Sequence, residues 1–327
     1  MNILVTGAAG FIGSAYVRML LAPGADRRSG VSRVTVLDKL TYAATRDNLD
    51  LGDPRLTFVR GDICDSDLVT RLMGHAHQVV HFAAESHVDR SVSAASAFVH
   101  TNVTGTQVLL DAALRHGVER FVHVSTDEVY GSVECGSSTE EDPLAPSSPY
   151  AASKAASDLV ALSYHRTHGL DVRVTRCSNN YGPRQFPEKV IPRFVTSLLD
   201  GGDVPLYGDG THRRDWLHVE DHCRAVELVR TAGRPGAVYN IGGGTELSNR
   251  ELTARLLASL GADWSRVRHV TDRRGHDRRY SVRDDKARNE LGYRPLHDFD
   301  SGLAETVDWY RSHRSWWEPL VERALSA

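Results

Sequence analysis

Gly7-Ala8-Ala9-Gly10-Phe11-Ile12-Gly13 decides the fold, because of what stands on either side of it. Before it runs the apolar stretch Ile3-Leu4-Val5; after it, residues 11–21 read as a helix. Glycines in such a strand-to-helix turn allow a tight bend, close approach of the backbone to a pyrophosphate, and tight helix–strand packing. The helix N-terminus adds free N–H groups and a positive dipole end. The next apolar run, Val34-Thr35-Val36-Leu37, ends in Asp38, 25 residues beyond Gly13. The polar stretch 22–32 accounts for a spacing slightly longer than usual. A carboxylate there accepts from ribose hydroxyls and repels a 2′-phosphate, so NAD is expected rather than NADP. The plainer alternative is that Asp38 caps the following turn. Asp62-Ile63, after a third apolar run, is placed for an adenine edge; a helix N-cap by Asp62 or Asp65 is the plain reading there.

Outward from this motif, Leu56-Thr57-Phe58-Val59, Val79-Val80-His81-Phe82, Phe121-Val122-His123-Val124 and Val172-Arg173-Val174-Thr175 are further strand candidates. They are short and apolar on both faces, as strands of a covered parallel sheet must be. Helical patterns at 11–21, 66–73, 97–116 and 150–168 alternate with them, which argues βαβ units. After residue 183 the rhythm changes to helices near 187–200, 219–232, 248–260 and 301–313, separated by glycine-rich loops. The expectation is an α/β protein: a Rossmann-like, doubly wound parallel sheet with a smaller, mostly helical C-terminal substrate-binding region. Residues 1–183 form the dinucleotide-binding and catalytic part and 184–327 the second, with 238–241 returning to the main sheet. Segment 132–148 is either a lid or a surface excursion.

Composition narrows the function. With 327 residues, 41% hydrophobic and 25% charged, the chain is an ordinary globular one. A net charge of −3 with interspersed signs gives no basic stripe for nucleic acid. No apolar run reaches the ~18 residues a bilayer requires, and the first residues read as a strand, not a signal peptide. Cys64, Cys135, Cys177 and Cys223 have no CxxC spacing, so neither a metal site nor a disulfide framework is expected. A reduced, cytoplasmic protein follows.

Tyr150-Ala151-Ala152-Ser153-Lys154 places a phenol and an ammonium on one helix face. A nearby ammonium favours phenolate and so brings a tyrosine toward use as a base. Ser125-Thr126-Asp127-Glu128 ends the strand that begins at Phe121. Ligands of open α/β sheets bind beyond the carboxyl ends of the strands, so a hydroxyl and two acids converge there. Adjacent carboxylates in different environments can divide into an acid and a base.

These motifs resemble the extended short-chain dehydrogenases/reductases (the NAD-dependent epimerase/dehydratase family), and within them the dTDP-glucose 4,6-dehydratases. The likeness also runs through His81-Phe82-Ala83-Ala84-Glu85-Ser86, Ser178-Asn179-Asn180-Tyr181-Gly182-Pro183, Arg214-Asp215-Trp216-Leu217-His218-Val219-Glu220-Asp221-His222 and Gly275-His276-Asp277-Arg278-Arg279-Tyr280, nearly end to end. The adjacent Asp127-Glu128 is the selective part, since epimerases need no acid–base pair for water loss. The resemblance implies oxidation of dTDP-glucose at C4, loss of water across C5–C6 and hydride return to C6, giving dTDP-4-keto-6-deoxyglucose. It makes Tyr150 the base at the C4 hydroxyl, assisted by Thr126 and Lys154, with Glu128 acting at C5–H and Asp127 at the C6 hydroxyl. Gly7, Gly10, Phe11, Ile12, Gly13, Asp38, Asp62, Ile63, Ala83, Ala84, Ser125, Tyr150 and Lys154 would hold NAD. Ser86, Thr126, Asn179, Lys189, Arg214, Asn249, Arg273 and His276 would hold the nucleotide sugar. Arg274 departs from the proline expected there and adds positive charge beside the diphosphate. The resemblance further suggests a homodimer formed through helices including 97–116 and 150–168. Other readings are a 4-epimerase or UDP-sugar dehydratase of the same superfamily, and a non-catalytic NAD-binding sensor, which would need neither the Tyr–Lys pair nor the two acids.

Overall fold

The computed structural model describes residues 1–25, 29–272 and 275–326. Twelve strands are described: β1 (Asn2–Thr6), β2 (Arg33–Asp38), β3 (Leu56–Arg60), β4 (Gln78–His81), β5 (Arg120–Thr126), β6 (Val172–Cys177), β7 (Asn179–Tyr181), β8 (Val204–Tyr207), β9 (Arg213–His218), β10 (Val238–Ile241), β11 (Glu246–Ser248) and β12 (Val267–Val270). The main sheet has the order β10-β6-β5-β4-β1-β2-β3. Its strands are all parallel. The order reverses between β1 and β4, and at such a switch point the loops beyond the strand ends diverge and leave a crevice.

The sheet is doubly wound, as expected. One face carries the Phe11–Leu21 and Val219–Ala232 helices, where Tyr16, Val17, Leu20, Val226 and Val229 bury against Ile3, Val5, Val34 and Tyr239. The other carries Ser66–Met73, Thr106–Arg115 and Pro149–His168, which bury Val69, Leu109, Leu110, Ala161 and Leu162 against Leu4, Val79, Phe121 and Val172. Burial on both faces is what the continuous apolar strands required. Val238–Ile241 pairs with β6 and completes the main sheet, as its composition suggested.

Two local features set the site. Ser148 caps the long helix by accepting from the Ala151 amide at 3.1 Å, Pro149 opens it, and Gly169 ends it in the left-handed conformation (φ +72°). This cap fixes where Tyr150 and Lys154 stand. The expected helix over 97–116 is instead Ala95–Phe98, a π-helical stretch Val99–Gly105, and Thr106–Arg115. Within that wider turn Asn102 accepts from the Glu85 amide (2.8 Å) and donates to the Glu85 carbonyl (3.0 Å) and Ser153 Oγ (2.8 Å). It ties the loop after β4 to the Tyr–Lys helix.

The C-terminal region holds the expected helices as Val190–Leu199, Asn249–Leu260 and Phe299–Ser312, and adds Asp285–Leu291 and Arg314–Ser326. It also contains two small sheets, β11-β9-β7 and β12-β8. A third core of Tyr181, Ile191, Phe194, Trp216, Leu252, Phe299, Tyr310 and Trp317 holds it together. Segment 132–148 is anchored here: the Asn240 amide donates to Glu140 (2.8 Å), and Ser147 Oγ donates to Asp277 (2.7 Å). No described helix is long and apolar enough to cross a membrane.

Candidate active site

The three glycines of the fingerprint differ in function. Gly7 has φ +70°, and a Cβ there would lie 2.5 Å from the Ala83 backbone nitrogen; at Gly13 it would lie 2.6 Å from the Gly7 carbonyl oxygen. Both positions permit backbone packing. At Gly10 the nearest atom to a Cβ is the Gly7 carbonyl at 3.3 Å, and its other side faces a cleft.

That cleft, of about 320 Å³, is lined by Gly7, Gly10, Phe11, Ile12, Gly13, Asp38, Asp62, Ile63, Ala83, Ala84, Ser125, Tyr150 and Lys154, with Thr126, Asp127 and Glu128 at one end. The topology thus brings all the sequence-derived cofactor residues to one groove across the switch point. Asp38 serves both readings offered for it. Its Oδ2 accepts from the Ala9 amide and its Oδ1 from the Leu40 amide, each at 2.8 Å, so it braces the glycine loop and the turn while lining the cleft. Each carboxylate oxygen retains a lone pair for a further donor. Asp62 accepts from Lys39 at 2.6 Å and from the Cys64 amide at 3.0 Å, and it is Asp65 that caps the following helix. The residues fit a dinucleotide. The groove offers an open helix N-terminus, an acid at the ribose end, small Ala83 and Ala84, and a buried Ser125 Oγ with no protein partner among the described residues.

At the reacting end Thr126 closes β5 and accepts from the Glu128 amide at 3.3 Å, capping the short 3₁₀ turn Asp127–Tyr130. That turn presents two carboxylates in unlike surroundings. Asp127 is buried; its Oδ1 accepts from Thr126 at 3.3 Å and its Oδ2 has no protein partner among the described residues. Burial, with the negative charges of Glu128 and Asp215, pushes its carboxyl well above the usual range, and Arg214 only partly opposes this. Asp127 is therefore biased toward its neutral, proton-carrying form. Glu128 lies at the junction of this cleft with a second cavity.

The protein's own groups push the Tyr150 phenol up from the ordinary value, first burial and then Glu128, Cys177 and Asp127; the phenolate expected from the sequence calls on a nicotinamide cation as well as Lys154. Lys154 Nζ donates to the Val124 carbonyl at 2.8 Å. Burial also draws Lys154 down to about 8, against the opposing charge of Asp158.

The second cavity, of about 720 Å³, shares Ser86, Glu128, Asn179 and Lys189 with the first and adds Arg214, Asn249 and His276. Lys189 Nζ donates to the Ser86 carbonyl at 3.0 Å. Arg214 donates to the carbonyls of Arg213 (2.7 Å) and Asp277 (2.9 Å) and stacks 4.2 Å above the Tyr280 ring. His276 stacks on His212 at 3.7 Å with its Nδ1 2.7 Å from Asp272. Arg273 and Arg274 lie outside the described residues. Sequence reasoning missed Glu188, which lines both cavities and accepts from the Tyr42 hydroxyl at 3.0 Å, while the Arg90 guanidinium stacks 3.6 Å above that tyrosine ring. It also missed that folding brings ligand atoms of His212, Asp272 and His276, and of His218, Glu220 and His297, within 4.8 Å of one another. Nothing in the local sequence marks either.

The family described as GDP-mannose 4,6 dehydratase matches residues 4–306. The chain belongs to that family. Within it, this dehydratase-family chain is 67% identical to a dTDP-glucose 4,6-dehydratase of Streptomyces antibioticus, over 99% of this chain and 96% of the relative. Its fold is similar to the crystal structure of DesIV, a dTDP-glucose 4,6-dehydratase of Streptomyces venezuelae with NAD bound: TM-score 0.96, 63% identity, 98% of this chain and 100% of that one. A UDP-glucose 4-epimerase of Thermotoga maritima, solved with UDP-glucose, matches at TM-score 0.88 and 33% identity, over 95% of this chain and 99% of the other. Since an epimerase shares the fold, it is the site that separates the two activities.

Proposed function

We infer that this protein is a dTDP-glucose 4,6-dehydratase that uses NAD, and that it converts dTDP-glucose to dTDP-4-keto-6-deoxyglucose in deoxysugar biosynthesis. The observation that carries this reading is the pair Asp127–Glu128 at the end of β5: one carboxyl buried and pushed toward its neutral form, the other open to the adjoining cavity. An epimerase has no use for that division, whereas loss of water needs an acid at the leaving hydroxyl and a base at the neighbouring carbon.

In this reading NAD, when bound, supplies the hydride acceptor for C4, the hydride returned to C6, and in its oxidised form a positive ring beside Tyr150. Tyr150 takes the proton of the C4 hydroxyl and Thr126 holds that oxygen. Lys154 fixes the nicotinamide ribose and adds positive charge. The 4-keto group acidifies C5–H, Glu128 removes that proton, and Asp127 gives its proton to the departing C6 hydroxyl. Residues 1–183 carry the cofactor and the chemistry, and 184–327 mainly the nucleotide sugar. Asn179, Lys189, Arg214, Asn249, Arg273 and His276 hold its diphosphate and nucleoside, and Ser86 is a further contact to the substrate. Cations suit phosphate oxygens, and arginine adds a bidentate fork.

The protein acts as a homodimer in this account, joined through the 97–116 and 150–168 helices. Exposed Val92, Val99 and Leu159 on adjoining helices support that face. Four free cysteines suit a cytoplasmic setting. Incubation with dTDP-glucose and, separately, UDP-glucose tests the reading, with products identified by mass and NMR. A 4-keto-6-deoxy product from dTDP-glucose supports it; a 4-epimer, or no turnover of either sugar, overturns it.

A further inference from the structure

One turn beyond Lys154 on the Pro149–His168 helix stands Asp158, with no exposed surface. Positions four apart on a helix are neighbours, so Tyr150, Lys154 and Asp158 form one buried row. Asp158 Oδ2 accepts from Arg176 Nε at 2.9 Å, and its Oδ1 lies 3.3 Å from His123 Nε2. Arg176 also donates to the Tyr130 hydroxyl at 2.7 Å, and that hydroxyl donates to Asn240 Oδ1 at 2.8 Å. Arg176 thus fastens the carboxylate to β6 and, through Tyr130, to β10, with His123 of β5 beside it, its Nε2 3.0 Å from Ser157 Oγ.

A carboxylate this deep would ordinarily neutralise itself. Burial does push Asp158 upward, but His123 and Arg176 outweigh it and the group is held below its usual range, ionised. Lys154 has the complementary problem. Its ammonium is buried, and its hydrogen bond goes to the Val124 carbonyl, which carries no charge. Among the described residues, the ionisable groups that interact with it are Asp158 on its own helix, His81 on β4, His123 on β5 and Cys177 on β6, with Tyr150 one turn before it and Arg176 paired to Asp158. Burial keeps both histidines neutral, His123 down to about 4, and pushes the Cys177 thiol up to about 12. Tyr150 is likewise held as a phenol. Asp158 is the one anion of this set.

We propose that Asp158 is a positioning residue for Lys154: its carboxylate, fixed by Arg176 and His123, is the counter-charge that keeps the Lys154 ammonium protonated inside the protein. Arg176 keeps the Asp158 carboxylate ionised one helical turn from the amine, and that carboxylate opposes the loss of a proton that burial would otherwise impose on a lone ammonium. With Asp158 in place Lys154 sits at about 8, charged at neutral pH. Without it the amine gives up its proton more readily, and the site's cation is weakened.

The chain contains four lysines, Lys39, Lys154, Lys189 and Lys286. Protein labelled with ¹³C at lysine Cε, otherwise as purified, therefore gives four titrating signals by NMR. The Lys154 signal is identified by its disappearance in Lys154→Met. In Asp158→Asn the acid dissociation constant of Lys154 should rise at least tenfold, about one pH unit, while the other three lysines titrate unchanged and report an intact fold. Asp158→Asn/Arg176→Gln removes the pair together and strands no guanidinium; Lys154 should move in the same direction. An unchanged Lys154 midpoint in either folded variant overturns the proposal. The proposal rests on reading Lys154 as the ammonium of the site, but the titration reads the amine itself. If the protein fails to turn over dTDP-glucose while Lys154 still shifts, the substrate reading fails and this one stands.

Discussion

Asp127→Asn removes an acid while keeping the outline of the side chain. The structure predicts little change in stability. Asp127 is buried with one side-chain hydrogen bond among the described residues, from Thr126 at 3.3 Å, and its carboxyl is pushed toward the neutral form by burial and by the charges of Glu128 and Asp215. An amide therefore replaces a neutral group, and the Thr126 hydroxyl can donate to the amide oxygen instead. Folding stability should change by less than about 1 kcal/mol. The loss falls on proton delivery to the departing C6 hydroxyl, where a missing general acid costs about 10²–10⁴-fold, or roughly 3–5 kcal/mol of barrier at about 1.4 kcal/mol per decade. Oxidation at C4 depends on Tyr150, Lys154 and Thr126, which are untouched. In a single turnover followed by rapid quench and mass detection, the 4-ketoglucose nucleotide should accumulate and reduced dinucleotide should remain on the enzyme. Conversion to the 6-deoxy product should be slower by the stated factor. If no 4-keto species forms at all, Asp127 is required for binding or assembly of the site, and the division of labour argued for the two acids is wrong.

Tyr150→Phe keeps the ring and removes the proton acceptor, so C4 oxidation should fall by about 10²–10⁴-fold; a near-normal rate of 4-keto formation would exclude Tyr150 as the base. Glu128→Gln should still allow oxidation but suppress exchange of the C5 hydrogen with deuterated solvent, read by mass. Gly7→Ala forces a Cβ to 2.5 Å from the Ala83 nitrogen at φ +70°; a loss of about 1–3 kcal/mol in thermal unfolding should come with loss of co-purifying dinucleotide. Leu159→Asp, on the exposed face of the Pro149–His168 helix, should yield monomers by light scattering, and an unchanged dimer would move the interface elsewhere.

The first half of the chain was legible because each signal in it is local. The glycine turn, the apolar strands and Asp65 at a helix start act within a few residues, and the helices at 11–21 and 66–73 fall where periodicity put them. The π-helical stretch was not legible, since a ladder widened around Asn102 leaves the apolar spacing on either side intact. β7, β8, β11 and β12 are three or four residues long and pair with distant partners, so nothing near them in sequence announces them. The cofactor groove was readable from motif positions, and folding brought those residues to one cleft. The electrostatics were not. A pattern of Tyr and Lys four apart suggests an activated phenol, but it says nothing of how deeply both are buried or of where the ammonium points. Glu188 and the Asp158–Arg176 pair likewise acquire their meaning only from residues far away in sequence.

The claim at the centre of this account is that one site oxidises C4, eliminates water and reduces C6 of the same sugar. dTDP-glucose carrying deuterium at C4 tests it most directly. The account predicts a 4-keto-6-deoxy product with that deuterium on C6 and a solvent-derived hydrogen at C5. Deuterium retained at C4 of a 4-epimer, or released to solvent, would contradict it.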